Sequence, residues 1–175
     1  LRRQRQMCIR DSYTVTQPSG LTASITQAPL TVTADAGQTK VYGVTDPTLT
    51  YRITGFVNGD TEADLDTGVS ISRAAGENVG SYTITPANAA DSNYSVNFVT
   101  SEFTITQAPL TVTADNQSRA EGVVNPTLTY RITGFTNGDT EADLDTAPTA
   151  STTAVIGSPV GMYPITVSGL SLIHI

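Results

Sequence analysis

Apolar residues along the chain fall on alternate positions in short runs, and the runs are separated by Gly, Pro, Asn and Asp. Leu30, Val32 and Ala34 alternate with Thr31 and Thr33; Leu49, Tyr51 and Ile53 with Thr50, Arg52 and Thr54; Val69 and Ile71 with serines; Tyr82 and Ile84 with threonines. A period of two is that of a strand with one face on a core. Tyr94, Val96 and Phe98, followed by Phe103 and Ile105, predict a closing hairpin, and a run over Lys40 to Tyr42 suggests one more short strand. No period of 3.6 is sustained anywhere. The fold class this predicts is all-β: tandem small antiparallel β-sandwiches, each with one short helical turn. That turn is placed by Thr61 and Asp64, which have the spacing of a capping box after Asn58 and Gly59, and again by Thr140 and Asp143. Leu49, Tyr51, Ile53 and Phe56, with Leu128, Tyr130, Ile132 and Phe135, are expected to face inward, and Arg52 and Arg131 outward.

The runs come in two sets. PTLTYRITGFVNGDTEADLDT, Pro47 to Thr67, returns as Pro126 to Thr146 with Val57 against Thr136 the only difference. Ile25 and Ile105 lie 80 residues apart, Pro47 and Pro126 79, Tyr82 and Tyr163 81, so small length changes are confined to a few places that read as surface loops. The expected organisation is a last hairpin of a preceding repeat over residues 13–28, a complete repeat over 29–107 and a second repeat over 108–169, cut short before its closing hairpin. The join from Ile105 to Thr113 has no Gly/Ser linker, which predicts a stiff string of modules. An uncovered edge in the second repeat and a spare strand at Tyr13 to Gln27 predict, for the isolated fragment and not for the natural protein, weak head-to-tail association by strand donation.

The two ends of the chain differ in composition from the rest. Arg2 to Ser12 and Leu170 to Ile175 lack the pattern of the rest and resemble translated sequencing adapter: ATG TGT ATA AGA GAC AG read in frame gives Met7 to Ser12, and its reverse complement gives Leu170 to Ile175. Residues 1–12 and 170–175 are therefore set aside as adapter-like tails; no apolar h-region follows the arginines, as a targeting signal would require. Cys8 and His174, the only cysteine and the only histidine, go with them. Without Arg2, Arg3, Arg5, Arg10 and Asp11, 9 basic and 16 acidic residues become five and fifteen, a net charge of −10. That balance argues against a nucleic-acid partner and against anionic membranes, and no stretch is apolar enough for membrane insertion.

Candidate chemistry is sparse. Asp60, Glu62, Asp64 and Asp66 supply oxygen ligands that calcium favours, but the spacing lacks an EF-hand's central Gly and distal Glu, and an acidic capped turn is the expected reading. Lys40, the only lysine, raises the question of a crosslink to Asn or Asp; Arg119 stands at its counterpart, and a snorkelling surface lysine is expected instead. Tyr51, Tyr82 and Tyr94 could line a carbohydrate groove, yet Tyr51 and Tyr82 share the apolar phase of Ile53 and Ile84, which predicts core packing. No base stands ready to activate a nucleophile, so the expectations are no enzyme, no catalytic residue, no cofactor and no metal.

KVYGVTDPTLTYRITGFVNGD, Lys40 to Asp60, together with AGENVGSYTIT, Ala75 to Thr85, resembles the MBG family of bacterial immunoglobulin-like (Ig-like) repeats, the type with a Tyr-Gly pair. The second unit departs from it with Ala120 and Glu121 in place of Val41 and Tyr42. The resemblance implies structural stalk or spacer repeats of a secreted or surface-anchored bacterial adhesin-like protein, with neighbouring repeats as partners. The alternative expectation is a binding module for a glycan or host protein.

Overall fold

The computed structural model describes residues 19–169. The adapter-like tails, Cys8, His174 and the first half of the expected opening hairpin lie outside them. In the first repeat, seven strands build two sheets. One has the order β3-β1-β6, from β1 (Ala28–Ala34), β3 (Tyr51–Thr54) and β6 (Tyr94–Val99). The other has the order β2-β7-β5-β4, from β2 (Gln38–Val41), β4 (Ser70–Arg73), β5 (Gly80–Ala87) and β7 (Ser101–Thr106). Between the sheets lie the side chains that the alternation pointed to. Leu30, Val32 and Ala34 of β1 and Phe103 and Ile105 of β7 are buried, as are Ile84 and Tyr94. Leu49, Tyr51, Ile53 and Phe56 are half-buried and Arg52 is exposed, as expected, and their second-repeat counterparts repeat the pattern.

Two features differ from the sequence reading. β6 and β7 do not form a hairpin: Thr100 alone joins them, and they belong to different sheets. One residue is too short for a hairpin loop. Stepping from one sheet to the other instead lets Tyr94 and Phe103 both point into the core. The second difference follows. β6 runs parallel to β1, with Leu30 opposite Val96, and β7 parallel to β2, with Lys40 opposite Ile105, so the sandwich is mixed and not wholly antiparallel. The remaining ladders, β1 with β3, β4 with β5 and β5 with β7, are antiparallel.

The helical turns are where the capping boxes put them. Short 3-10 turns occupy Glu62–Asp64 and Glu141–Asp143, each with the Asp carboxylate accepting from the N-cap Thr backbone N–H at 2.8 Å. Gly55 ends β3 at φ +109°, and a Cβ there would meet the Pro29 carbonyl oxygen at 2.4 Å. Gly134 repeats this against Pro109, so the glycine that closes the YRITG stretch is a close-approach position.

In the second repeat β8 (Thr111–Ala114) pairs with β9 (Tyr130–Thr133), and β10 (Thr149–Thr152) with β11 (Ile165–Ser168). Their registers copy β1 with β3 and β4 with β5. Leu110, Val112, Ala114 and Ile165 are only half-buried, whereas Leu30, Val32, Ala34 and Ile84 at the same places in the first repeat are covered by β6 and β7. Residues 117–120 and 161–164, the counterparts of β2 and of the first half of β5, carry no strand. Nor do residues 19–27, where the second half of the opening hairpin was expected: Leu21 is 82% and Ile25 102% exposed. The edges such a strand needs in the first repeat, on β2 and β5, are both taken by β7.

Candidate functional site

The most concentrated chemistry of the described residues is a four-charge cluster that closes one end of the first sandwich. Arg73, the last residue of β4, continues the apolar phase of Val69 and Ile71, and that phase turns its side chain inward until only 8% of it is exposed. Its guanidinium carbon lies 5.3 Å from the ring centres of both Tyr82 and Phe103, a cation held against two aromatic faces. Lys40 on β2 is equally deep, its side chain 3% exposed. The expected snorkelling surface lysine is thus a buried one: β2 pairs with β7, and the Lys40 ammonium meets Asp46 and, in the β4–β5 turn, Glu77.

Two carboxylates on the rim answer these two cations. Asp46 receives Arg73 in a forked pair, Nε at 2.5 Å and Nη2 at 3.0 Å, and takes Lys40 Nζ at 2.6 Å. Glu77 accepts from Arg73 Nη2 at 2.5 Å and from Lys40 Nζ. Arg73 also donates to the carbonyls of Ala74 and Gly76. The cluster therefore pins three segments together: β2, the loop carrying Asp46, and the β4–β5 turn. Arg73 first and Lys40 second hold the Asp46 carboxyl down at about 2, and Glu77 is lowered by Lys40 and then Arg73. Hydrogen bonds that Lys40 donates to Asp46 first and Glu77 second raise it above its ordinary value. An amine beside a carboxylate could in principle condense to an amide. Here the arginine fork keeps the acid ionised and the amine stays protonated, so the arrangement is that of an ion-pair clamp.

Sequence reasoning singled out Lys40 but missed Asp46, Arg73 and Glu77. The legible signal was a cation in apolar phase, Arg73 two residues after Ile71.

The second repeat builds the same clamp from other groups. Arg119, at the place of Lys40, donates to Asn125 Oδ1 at 2.6 Å and to the Ala120 and Val155 carbonyls; Asn125, at the place of Asp46, donates to the Ala154 carbonyl at 2.7 Å. One arginine and one amide thus tie the same three segments with no carboxylate.

The other candidates disperse. Asp60 accepts from the buried Tyr94 hydroxyl at 2.6 Å, Glu62 from Tyr51, Asp64 from its own N-cap, and Asp66 from the Ser92 backbone N–H at 3.0 Å. Four acids serve four separate donors, and among the described residues no three His, Cys, Asp or Glu side chains converge on one point. The tyrosines part company as well. Tyr94 packs edge-on against Phe56 at 5.7 Å, Tyr82 lies under Arg73 with its hydroxyl on the Asn78 carbonyl, and Tyr51 reaches the 3-10 turn. They line no common groove.

Two further places stand out. In the second repeat a cleft of about 680 Å³ opens among Ala114, Arg119, Leu128, Tyr163 and Ile165. At the joint between repeats, Gly43 sits at φ +82°, and a Cβ on it would lie 2.4 Å from Thr136 Cβ. Thr136 is the one position at which the repeated stretch differs; its hydroxyl is buried there without a hydrogen-bond partner, while Val57 at the same place in the first repeat is 46% exposed. No helix among the described residues is long and apolar enough to cross a membrane.

Comparison with protein families gives one assignment. The family described as MBG domain (YGX type) matches residues 30–104 and again 110–172, and the chain belongs to that family as two tandem units. Neither the curated proteins nor the solved structures give a significant match.

Proposed function

We propose that these two MBG units are structural spacers, lengths of stalk in a secreted or surface-anchored bacterial protein of adhesin-like type, without catalytic activity of their own. The observation that carries this reading is the joint. A Tyr-Gly turn of one unit meets the Thr136 loop of the next so closely that only glycine fits, and Gln107 to Leu110 is all that separates β7 from β8. A short connection with a packed contact resists bending, which is what a spacer requires. The contact is also head-to-tail: Gly122 in the second unit corresponds to Gly43 and has open space before it, and Val57 in the first unit corresponds to Thr136. Each unit thus carries both halves of the joint, and such a contact can be repeated along an array. The charged clamp fits this reading as reinforcement beside the Tyr-Gly turn. A glycan-binding role has less behind it, because the three tyrosines do not converge.

The test is the distance between spin labels at Asn97 and Thr149, both exposed, with Cys8 replaced by serine. A narrow distribution is expected, and Thr136→Arg is expected to broaden it. The arginine spares the fold of the second unit, since the equivalent Val57 is exposed in the first. A broad distribution in the parent, or one that Thr136→Arg leaves narrow, rules out a stiff joint made by this contact.

A further inference from the structure

The loop that makes the joint between the repeats also carries a reactive pair. Thr136, Asn137, Gly138 and Asp139 form a tight turn in which the Asp139 N–H donates to the Thr136 carbonyl at 2.9 Å. Asn137 stands at φ 55° and Gly138 at φ 85°, the left-handed values of a type I′ turn, for which Asn-Gly is the favoured pair. Both are exposed to water, while Thr136, the first residue of the turn, lies against Gly43 of the preceding unit.

An asparagine followed by glycine can close on itself. Glycine has no Cβ to shield its nitrogen, so that nitrogen can attack the Asn Cγ and form a five-membered imide. The turn opposes this. A type I′ turn sets ψ of its first central residue at about 30°, which places the Gly138 nitrogen nearly anti to the Asn137 Cβ and turned away from Cγ. Bringing the two together takes a large rotation about the Asn137 Cα–C bond, and that rotation breaks the hydrogen bond from Asp139 to Thr136. Ring closure is thus confined to the opened turn.

We propose that Asn137 is a site of self-modification and that its conversion to isoaspartate releases the joint; the second half rests on the reading of the joint as stiff. The Gly138 nitrogen bonds to Asn137 Cγ and loses its proton, the Cγ–Nδ2 bond breaks, and Nδ2 leaves as ammonia. Water then opens the imide. Opening at Cγ gives aspartate; opening at the main-chain carbonyl carbon gives isoaspartate, whose chain runs on through Cβ and Cγ. Ammonia is lost, water is gained, and nothing is oxidised or reduced. Isoaspartate lengthens the chain between Thr136 and Asp139 by a carbon and sets a free carboxylate beside Asp139, so the turn no longer closes as it did and Thr136 is no longer held against Gly43. Asn58 and Gly59 form the same turn, at φ 58° and 88° with the Asp60 N–H on the Val57 carbonyl at 3.0 Å, and share its chemistry away from this joint.

The test ages the full chain carrying Cys8→Ser and Asn58→Gly in mildly alkaline buffer, beside a synthetic peptide of residues 134–141. Gly-Gly keeps a type I′ turn in the first unit and leaves Asn137 and Gly138 as the one Asn-Gly pair. Peptide mapping should find isoaspartate at Asn137 in both, forming about tenfold or more slowly in the folded chain, because only a minor opened population reacts. Spin labels at Asn97 and Thr149 should give a narrow distance distribution that broadens on ageing and stays narrow in a chain that also carries Asn137→Gly. Absence of isoaspartate from the chain while the peptide forms it, formation as fast as in the peptide, a distribution that ageing leaves narrow, or broadening that Asn137→Gly does not prevent overturns the proposal. A distribution already broad before ageing overturns the stiff joint and with it the release proposed here, whereas the mapping reads the modification at Asn137 independently of the joint.

Discussion

Asp46→Asn isolates the carboxylate on which the clamp of the first repeat turns. Asparagine keeps the shape and one acceptor, and it is the residue the second repeat uses at Asn125. In the folded chain Asp46 titrates at about 2 against an ordinary value of 3.8. A folded value below the unfolded one contributes stability that is fully present above the unfolded value and lost as pH falls through the folded one. Taken whole, the shift corresponds to roughly 2.5 kcal/mol at neutral pH. The Asp46 side chain is 37% exposed, however, so solvent screening cuts this to about 1 kcal/mol. The variant should therefore be less stable by about 1 kcal/mol near pH 7, and the gap should close between about pH 4 and about pH 2. Glu77 titrates in parent and variant alike and largely cancels in the difference. Urea unfolding followed by far-UV circular dichroism at several pH values measures it. A gap that is the same at acid and neutral pH, or absent at neutral pH, would show that Asp46 is a solvated bystander and the ion pairs contribute nothing.

Phe103→Ala should destabilise the first repeat by about 3 to 5 kcal/mol, since the ring is fully buried, while Arg52→Ala, 65% exposed and 3.8 Å from Asp35, should cost under about 0.5 kcal/mol in the same urea unfolding assay. Intact mass should show no loss of water at Lys40, because Arg73 keeps the neighbouring acid ionised; a mass lower by one water would place an amide between Lys40 and Asp46 or Glu77. Thermal melting with calcium and with a chelator should coincide, since Asp60, Glu62, Asp64 and Asp66 answer four different donors; a shift of several degrees would show that they regroup around the ion.

What was legible in the sequence is what depends on neighbours along the chain. Alternation placed the inward faces of β1, β3 and β7, and the Thr-x-x-Asp spacing placed both 3-10 turns, because each signal is completed within a few residues. Pairing is a different matter. Tyr94 to Thr106 reads as two strands in succession, and nothing in its side chains says that Thr100 carries the chain from one sheet to the other. That outcome depends on where β1 and β2 leave open edges, which lie more than fifty residues earlier in the chain. Lys40 was misread for a related reason: a lysine counts as exposed until Asp46 and Glu77, from two other segments, are known to meet it.

The two clamps show how the repeated stretch can stay nearly fixed while its surroundings change. Pro47 to Thr67 and Pro126 to Thr146 form the same strand, the same close-approach glycine and the same 3-10 turn, so a substitution at the inward-facing residues, at the glycine or at the capping pair would be felt in packing or in capping. The clamp lies outside that stretch and needs only to hold three segments together. Lys40, Asp46, Arg73 and Glu77 do so with two cations and two anions; Arg119 and Asn125 do so with one cation, one amide and backbone carbonyls. The exception proves instructive inside the fixed stretch itself. Its single difference, Val57 against Thr136, falls at a side chain that meets another repeat, where the constraint comes from Gly43 of the neighbour and not from the unit's own core. Thr136→Val, which restores the first repeat's residue and removes a buried hydroxyl with no partner, should therefore hold the joint at least as firmly as threonine does.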